Sequence, residues 1–262
     1  MNKQSKVSQL VNNAKADGNL SAQSEQILNV LDIGAEIQAA LGVAVDDVEA
    51  SEVILVSMMP DDSGSIRFAG NAAAVRNGHN LVLNSLRASK QKDNILAHNR
   101  YLNGKILYPY TMVEQAEIMD TQNYNPDQGT PLYDQTIVLL GTVLAKAQEF
   151  SDNGVPARTI TLIISDGSDQ HSRKYSAKDV AVVVKDMLKT EMHIVAAMGI
   201  DDGSTDFQRV FSDMGIPDEW ILTPKNTEKE IRQAFLLFSQ SAVRASQSAA
   251  NFSQAAMGGF GN

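Results

Sequence analysis

The chain has 262 residues, with 22 lysines and arginines against 31 aspartates and glutamates (net charge -9), four histidines and no cysteine. That length suits one large α/β domain with appendages, and the acidity excludes a protein that tracks nucleic-acid phosphates or an anionic membrane. The missing thiols exclude disulfide frameworks, zinc thiolates and cysteine nucleophiles. The polar stretch Met1 to Leu20 is no signal core, and no apolar run approaches the roughly 18 residues a membrane span needs. The expectation is a cytoplasmic chain without membrane insertion.

Val7 to Ala16 reads as a short helix before the Asp17-Gly18-Asn19 turn. From Ser21 to Leu41, apolar residues at Ile27, Leu31, Ile37 and Leu41 share one face, predicting a single helix capped by Ser21 and stopped by Gly42. Residues 1–50 are therefore expected as a helical extension. Val53 to Met59, an apolar run rich in β-branched residues, predicts a strand buried on both faces. Beyond Pro60-Asp61-Asp62-Ser63-Gly64-Ser65, the segment Ala69 to Leu86 predicts a helix packed on the sheet. Ile95 to Leu102 and Lys105 to Tyr110 flank Asn103-Gly104, the dipeptide of a tight hairpin, so one edge strand should be antiparallel.

Asp120 to Gly129 lacks periodicity and reads as an exposed loop. Thr130 then suits a helix cap and Pro131 the first helical position, ahead of a stripe at Tyr133, Ile137, Leu140, Leu144 and Ala147. Thr159 to Ser165 is a second buried strand, ending in Asp166-Gly167-Ser168-Asp169. Ser176 with Asp179 opens another helix, His193 to Met198 another strand, Asp206 to Met214 a short helix and Trp220 to Leu222 a last strand. Thr227 with Glu230 opens the closing helix, whose face is Ile231, Phe235, Phe238 and Ala242. Residues 51–247 should form the main domain, and the Ser/Ala/Gly-rich 248–262 a flexible tail. The alternation of strand and helix predicts an α/β fold, a mostly parallel sheet covered on both faces with one antiparallel edge strand.

Ligands in such sheets bind beyond the carboxyl ends of the strands. Asp61, Ser63 and Ser65 follow one strand end, Asp166 another, and Thr130 opens a helix on the same rim. A carboxylate and hydroxyls match a hard cation such as Mg²⁺, which takes about six oxygens and keeps several as water.

The pattern Asp61-x-Ser63-x-Ser65, a separated Thr130, then Ser165-Asp166-Gly167 resembles the metal-ion-dependent adhesion site (MIDAS) of von Willebrand factor A (vWA) domains. The resemblance covers roughly Glu52 to Gln247 and all five site positions. It implies a doubly wound, six-stranded Rossmann-like sheet with helices on both faces and the site at its carboxyl rim. It also implies that Ser63 and Ser65 coordinate the metal through their hydroxyls, Thr130 directly or through water, and Asp61 and Asp166 largely through water. Mg²⁺ is the expected ion, with Mn²⁺ or Ca²⁺ as alternatives. A cation held by neutral oxygens stays electron-poor and favours an anionic ligand, such as a partner's Glu or Asp. Pro60, Ser165 and Ile66 depart from the usual family residues, but none removes a ligand. The chain is similar to intracellular bacterial members of the tellurite-resistance and AAA+ ATPase-associated types, which implies an adaptor or assembly factor in a stress-response complex.

Two other readings stay open. A Mg²⁺-dependent phosphoryl-transfer or hydrolase enzyme would use Asp61 as nucleophile, although Ser63 stands where a second acid is usual. A scaffold would keep a purely structural ion. The scattered His79, His98, His171 and His193 show no metal spacing and read as structural, with only His171 near the rim. No Gly-x-Ser-x-Gly elbow and no phosphate-cradling glycine loop is present.

Overall fold

A computed structural model of the chain describes residues 5–247, 252, 255 and 257–261. Six strands form one sheet in the order β3-β2-β1-β4-β5-β6: β1 (Val53–Met59), β2 (Ile95–Arg100), β3 (Ile106–Met112), β4 (Ala157–Ser165), β5 (His193–Gly199) and β6 (Ile221–Leu222). Every pairing is parallel except β2 with β3. β1, β2, β4 and β5 are buried along their whole length, as expected of apolar runs with both faces covered. The hairpin forms where Asn103-Gly104 predicts it, with Gly104 at φ +93°.

The chain leaves β1 towards β2 on one side and returns to β4 on the other. The carboxyl ends of β1 and β4 therefore lie side by side where the winding direction reverses, the place at which such sheets open a crevice. Helices cover the sheet. α5 (Ala72–Arg87) packs with α9 (Glu228–Ser246), where Gly78 gives room to the Phe235 ring, and α6 (Leu132–Asp152) packs with α7 (Ala177–Lys189). Short α4 (Gly64–Phe68) follows β1, and α8 (Phe207–Asp213) lies between β5 and β6.

One local expectation changes at the amino end and one on α6. The segment from 21 to 41 is two helices, α2 (Ala22–Leu28) and α3 (Leu31–Ala40), broken at Asn29-Val30. One amphipathic rod would leave its second half projecting, whereas the break lets both pieces fold over α6. Ser21 caps α2 as predicted, its hydroxyl accepting from the Ser24 N–H. With α1 (Lys6–Ala16), these helices bury the outer side of α6, so every residue from Thr136 to Lys146 is buried rather than a single stripe. Gly141 marks the contact, since a Cβ there would stand 2.7 Å from Ile37 Cδ1. The Lys6–Glu149 ion pair and the Gln148–Asp17 hydrogen bond (2.7 Å) tie α1 and its end to α6. Asp186 on α7 accepts from the Ser21 N–H (2.8 Å) and the Ser24 hydroxyl (2.6 Å).

Gly42, after α3, has φ +63° and lies against the Tyr110 carbonyl, which accepts the Val43 N–H at 2.9 Å. The tail expected to be loose, 248–262, lies in large part outside the described residues. Of its described residues, Phe252 and Ala255 are buried and Phe260 meets Trp220 edge-on at 4.8 Å, while Met257 is exposed. Among the described residues no single helix is long and apolar enough to cross a membrane.

Candidate metal centre

β1 runs out at Met59, and the turn that follows is held at both ends. The Pro60 carbonyl accepts the Leu102 N–H (3.1 Å), and the Asp62 carbonyl accepts the Gln128 N–H (3.0 Å). Ser63 is the N-cap residue of α4 in extended conformation, and the Gly64 N–H donates to the Gln128 carbonyl (3.0 Å), so Ser63 and Gln128 form a one-residue parallel bridge. The loop 120–129 is thereby stitched to the end of β1. It is not wholly exposed as predicted: Tyr124 is buried, because its hydroxyl donates to the Asp61 carbonyl.

The hydroxyls of Ser63 and Ser65 stand 2.8 Å apart. Both reach Asp166 from the end of β4, Ser65 Oγ donating to Oδ1 at 2.6 Å and Ser63 Oγ at 3.4 Å. A serine that gives its hydrogen to Asp166 keeps its lone pairs free for a cation. Asp61 lies beneath this group, fully buried. Its Oδ1 accepts the Ser63 N–H (2.7 Å), and its Oδ2 accepts the Ser165 hydroxyl (2.8 Å) and the Asp166 N–H (3.3 Å). Ser165 is thus more than a strand residue, for it joins the two strand ends through Asp61.

Thr130 precedes α6 by one residue more than expected. Pro131 occupies the cap position and Leu132 is the first helical residue. Thr130 is placed by its backbone: its N–H donates to His171 Nδ1 (2.9 Å), and its carbonyl accepts the Gln170 and His171 N–H groups (3.1 and 3.2 Å). Gly129 lets the imidazole in, since a Cβ there would lie 2.9 Å from His171 Nδ1. Ser63, Ser65, Thr130 and Asp166 line one open depression of about 420 Å³, which Asp61 does not reach. Four of the five positions singled out in the sequence share this surface, and the fifth supports it from below.

The electrostatics favour a cation. Burial pushes the Asp166 carboxyl up to about 6, and the neighbouring Asp61 charge adds to this against the Ser65 and Ser63 hydroxyls. Burial raises Asp61 too, opposed by the hydrogen-bonding groups of Ser63, Ser165 and Asp166. Asp62, buried beside them with one N–H from Asn103, is raised to about 7. No lysine or arginine lines the depression, while Asp201 and Asp202 do. Among the described residues no cluster of three or more His, Asp or Glu could hold a metal alone, so the hydroxyls have to count as donors. The set present, hydroxyls and carboxylates without thiol, fits a hard divalent cation.

Two further residues stand at this rim, neither of which the sequence tied to Thr130 or the donors. His171 is exposed and carries no motif, but it orients Thr130. Phe68, at the rim, is 83% exposed.

No protein-family profile matches the sequence, and no curated protein matches it. Solved structures do match by shape. The pilus adhesin SpaC from Lactobacillus rhamnosus GG aligns at 12% identity and TM-score 0.52 over 75% of this chain and 30% of that one. Proximal thread matrix protein 1 from the mussel byssus, with a zinc-occupied MIDAS motif, aligns at 12% and 0.51 over 75% and 47%. The von Willebrand factor domain of the type V pili tip protein Mfa5 from Porphyromonas gingivalis aligns at 9% and 0.53 over 76% and 98%. The chain thus spans about a third to a half of the adhesin and the thread protein. The fold is that of a vWA domain: a six-stranded mixed sheet with helices around it.

Proposed function

We propose that the chain is a metal-dependent protein-interaction module. A divalent cation, Mg²⁺ first and Mn²⁺ or Ca²⁺ as substitutes, sits against Ser63, Ser65 and Thr130, with Asp61 and Asp166 one layer back, and takes a Glu or Asp of a protein partner in its remaining place. The observation that carries this reading is the meeting of the Ser63 and Ser65 hydroxyls with Asp166 at the mouth of a depression that has no lysine or arginine. When bound, the ion supplies an electron-poor centre that draws an anionic oxygen. The protein's own groups do the rest. Asp166 orients the serine hydroxyls by accepting their hydrogens, Asp61 ties the ends of β1 and β4 together, and His171 fixes the Thr130 backbone.

The zinc in the MIDAS motif of the mussel protein supports a metal here, and the adhesin's name supports an interaction role. The finer setting, a cytoplasmic adaptor or assembly factor for an AAA+ ATPase or stress-response complex, is carried by the sequence resemblance alone. The enzymatic alternative meets an obstacle: Asp61 has no exposed surface and both its oxygens are engaged, so a phosphoryl donor has no line of approach to it.

The test is capture of protein partners by the immobilised chain in Mg²⁺ and in chelator, beside the Thr130→Ala variant. Partners retained in Mg²⁺ and released by both chelator and the substitution are expected. Retention indifferent to chelator would remove the metal from the interaction.

A further inference from the structure

The depression that carries the hydroxyl donors has one large apolar feature. Phe68 lines it together with Ser63, Ser65, Thr130 and Asp166, and at 83% it is the most exposed of the large apolar side chains described. Its position follows from α4. Ile66 takes the inward place and is fully buried, while the Phe68 ring lies alongside Gly64, where a Cβ would sit at ordinary contact distance, 3.4 Å from Phe68 Cε2. The Arg67 guanidinium stands 5.2 Å from the ring centroid. Ser65 and Phe68 are three residues apart on one helix, so they share a face with Cβ atoms about 5–6 Å apart. Phe68 is therefore a near neighbour of Ser65 on the rim of the depression. The rest of the rim is polar and includes the acids Asp201 and Asp202.

We infer that Phe68 is the specificity contact of this site: the partner segment presents its metal-bound acid one or two residues from an apolar side chain that packs on the Phe68 ring. This rests on the metal-dependent reading above and adds the chemistry of the partner to it. The spacing follows from chain geometry. Neighbouring Cα atoms are about 3.8 Å apart and alternate ones in an extended segment about 6.6 Å, which brackets the Cβ spacing of about 5–6 Å for positions such as Ser65 and Phe68. Charge narrows the segment further. Asp201 and Asp202 repel a second acid on their part of the rim, whereas Arg67 beside the ring does not, so any further acid of the partner falls on the Phe68 side. Phe68 touches little of the fold, so replacing it leaves the domain and its ion intact.

The experiment uses the full chain and a display library of short peptides with a fixed central glutamate and randomised flanks, panned in Mg²⁺ and in chelator. Peptides retained only in Mg²⁺ are then measured against the wild type and Phe68→Ala. The expected result is enrichment of an aromatic or branched aliphatic residue within two positions of the glutamate, binding to Phe68→Ala at least about tenfold weaker, and an unchanged Mg²⁺-induced melting shift in that variant. Mg²⁺-dependent peptides with no apolar preference, or bound equally by Phe68→Ala, overturn the inference and leave the metal-dependent module standing. Recovery of no Mg²⁺-dependent peptide overturns both.

Discussion

Replacing Asp166 by Asn should make the metal-free protein more stable and the metal-loaded one no better. Asp166 is 4% exposed and its pKa is raised from 3.8 to about 6. A carboxyl so raised favours the folded state least where it is ionised: its contribution falls as pH climbs from 3.8 to about 6 and is fully unfavourable above that. The shift corresponds to about 3 kcal/mol. Asparagine removes the charge and keeps a carbonyl oxygen to accept from Ser65. At about pH 8 the variant should therefore gain up to about 3 kcal/mol in chelator, a rise of several degrees in Tm at roughly 2–4 °C per kcal/mol for a domain of this size. The wild type should in turn gain about 2.7 kcal/mol from Mg²⁺ at about 100 times its Kd, and the variant little. Melting curves in chelator and in saturating Mg²⁺ would thus cross: variant above wild type without metal, level with it or below when metal is added. A variant that melts lower than the wild type in chelator, or that keeps the full Mg²⁺ shift, would refute the reasoning.

Three further outcomes are expected. Buried His79, His98 and His193 have pKa values lowered by desolvation to about 4, 3 and 4 from 6.5; the unfolded chain binds these protons first, so their contribution to stability should fall as pH drops from about 6.5 towards 4, partly offset by Asp62 and Asp166, whose raised carboxyls are protonated first in the folded chain, and a urea midpoint that rises as pH drops from about 7 to 5 would contradict this. His171→Ala should weaken Mg²⁺ binding about tenfold by freeing the Thr130 backbone, with melting in chelator almost unchanged; a Mg²⁺ titration followed by melting temperature checks it, and unaltered affinity would mean that His171 does not position Thr130. Gly42→Ala would put a Cβ 1.9 Å from the Tyr110 oxygen at φ +63°, so it should cost more than about 2 kcal/mol in urea unfolding; an unmoved midpoint would show that the turn relaxes freely.

What could be read in advance was what local chemistry decides. The β-branched runs of β1 and β4, the Asn103-Gly104 turn and the Ser176 capping box with Asp179 all act over a few residues and fell where expected. The oxygen-bearing turns at Asp61–Ser65 and Asp166 were legible because strands place their ends predictably. Long-range contacts were not legible. The break at Asn29-Val30 lets α2 and α3 both pack on α6, and the circumferential burial of α6 is a property of α1, α2 and α3 as much as of its own pattern. Tyr124 looked like a loop residue until its hydroxyl met the Asp61 carbonyl. His171 could be placed near the rim and read as structural, but not paired with Thr130, 41 positions away, and Phe68 gave no signal because an outward-facing ring breaks periodicity without announcing a purpose.

The double jacket on α6 bears on how the centre would resist a pulling partner. Its amino end carries Thr130, and its length is gripped by β1 and β4 on one side and by the three leading helices on the other. A load applied at the rim would be shared along a rod embedded on all sides, not borne by a hinged loop. Trimming the chain at the start of β1 would unsheathe that rod and leave Ile37's seat at Gly141 facing water, so a shortened protein would be expected to clump through that stripe before it could be asked to hold anything.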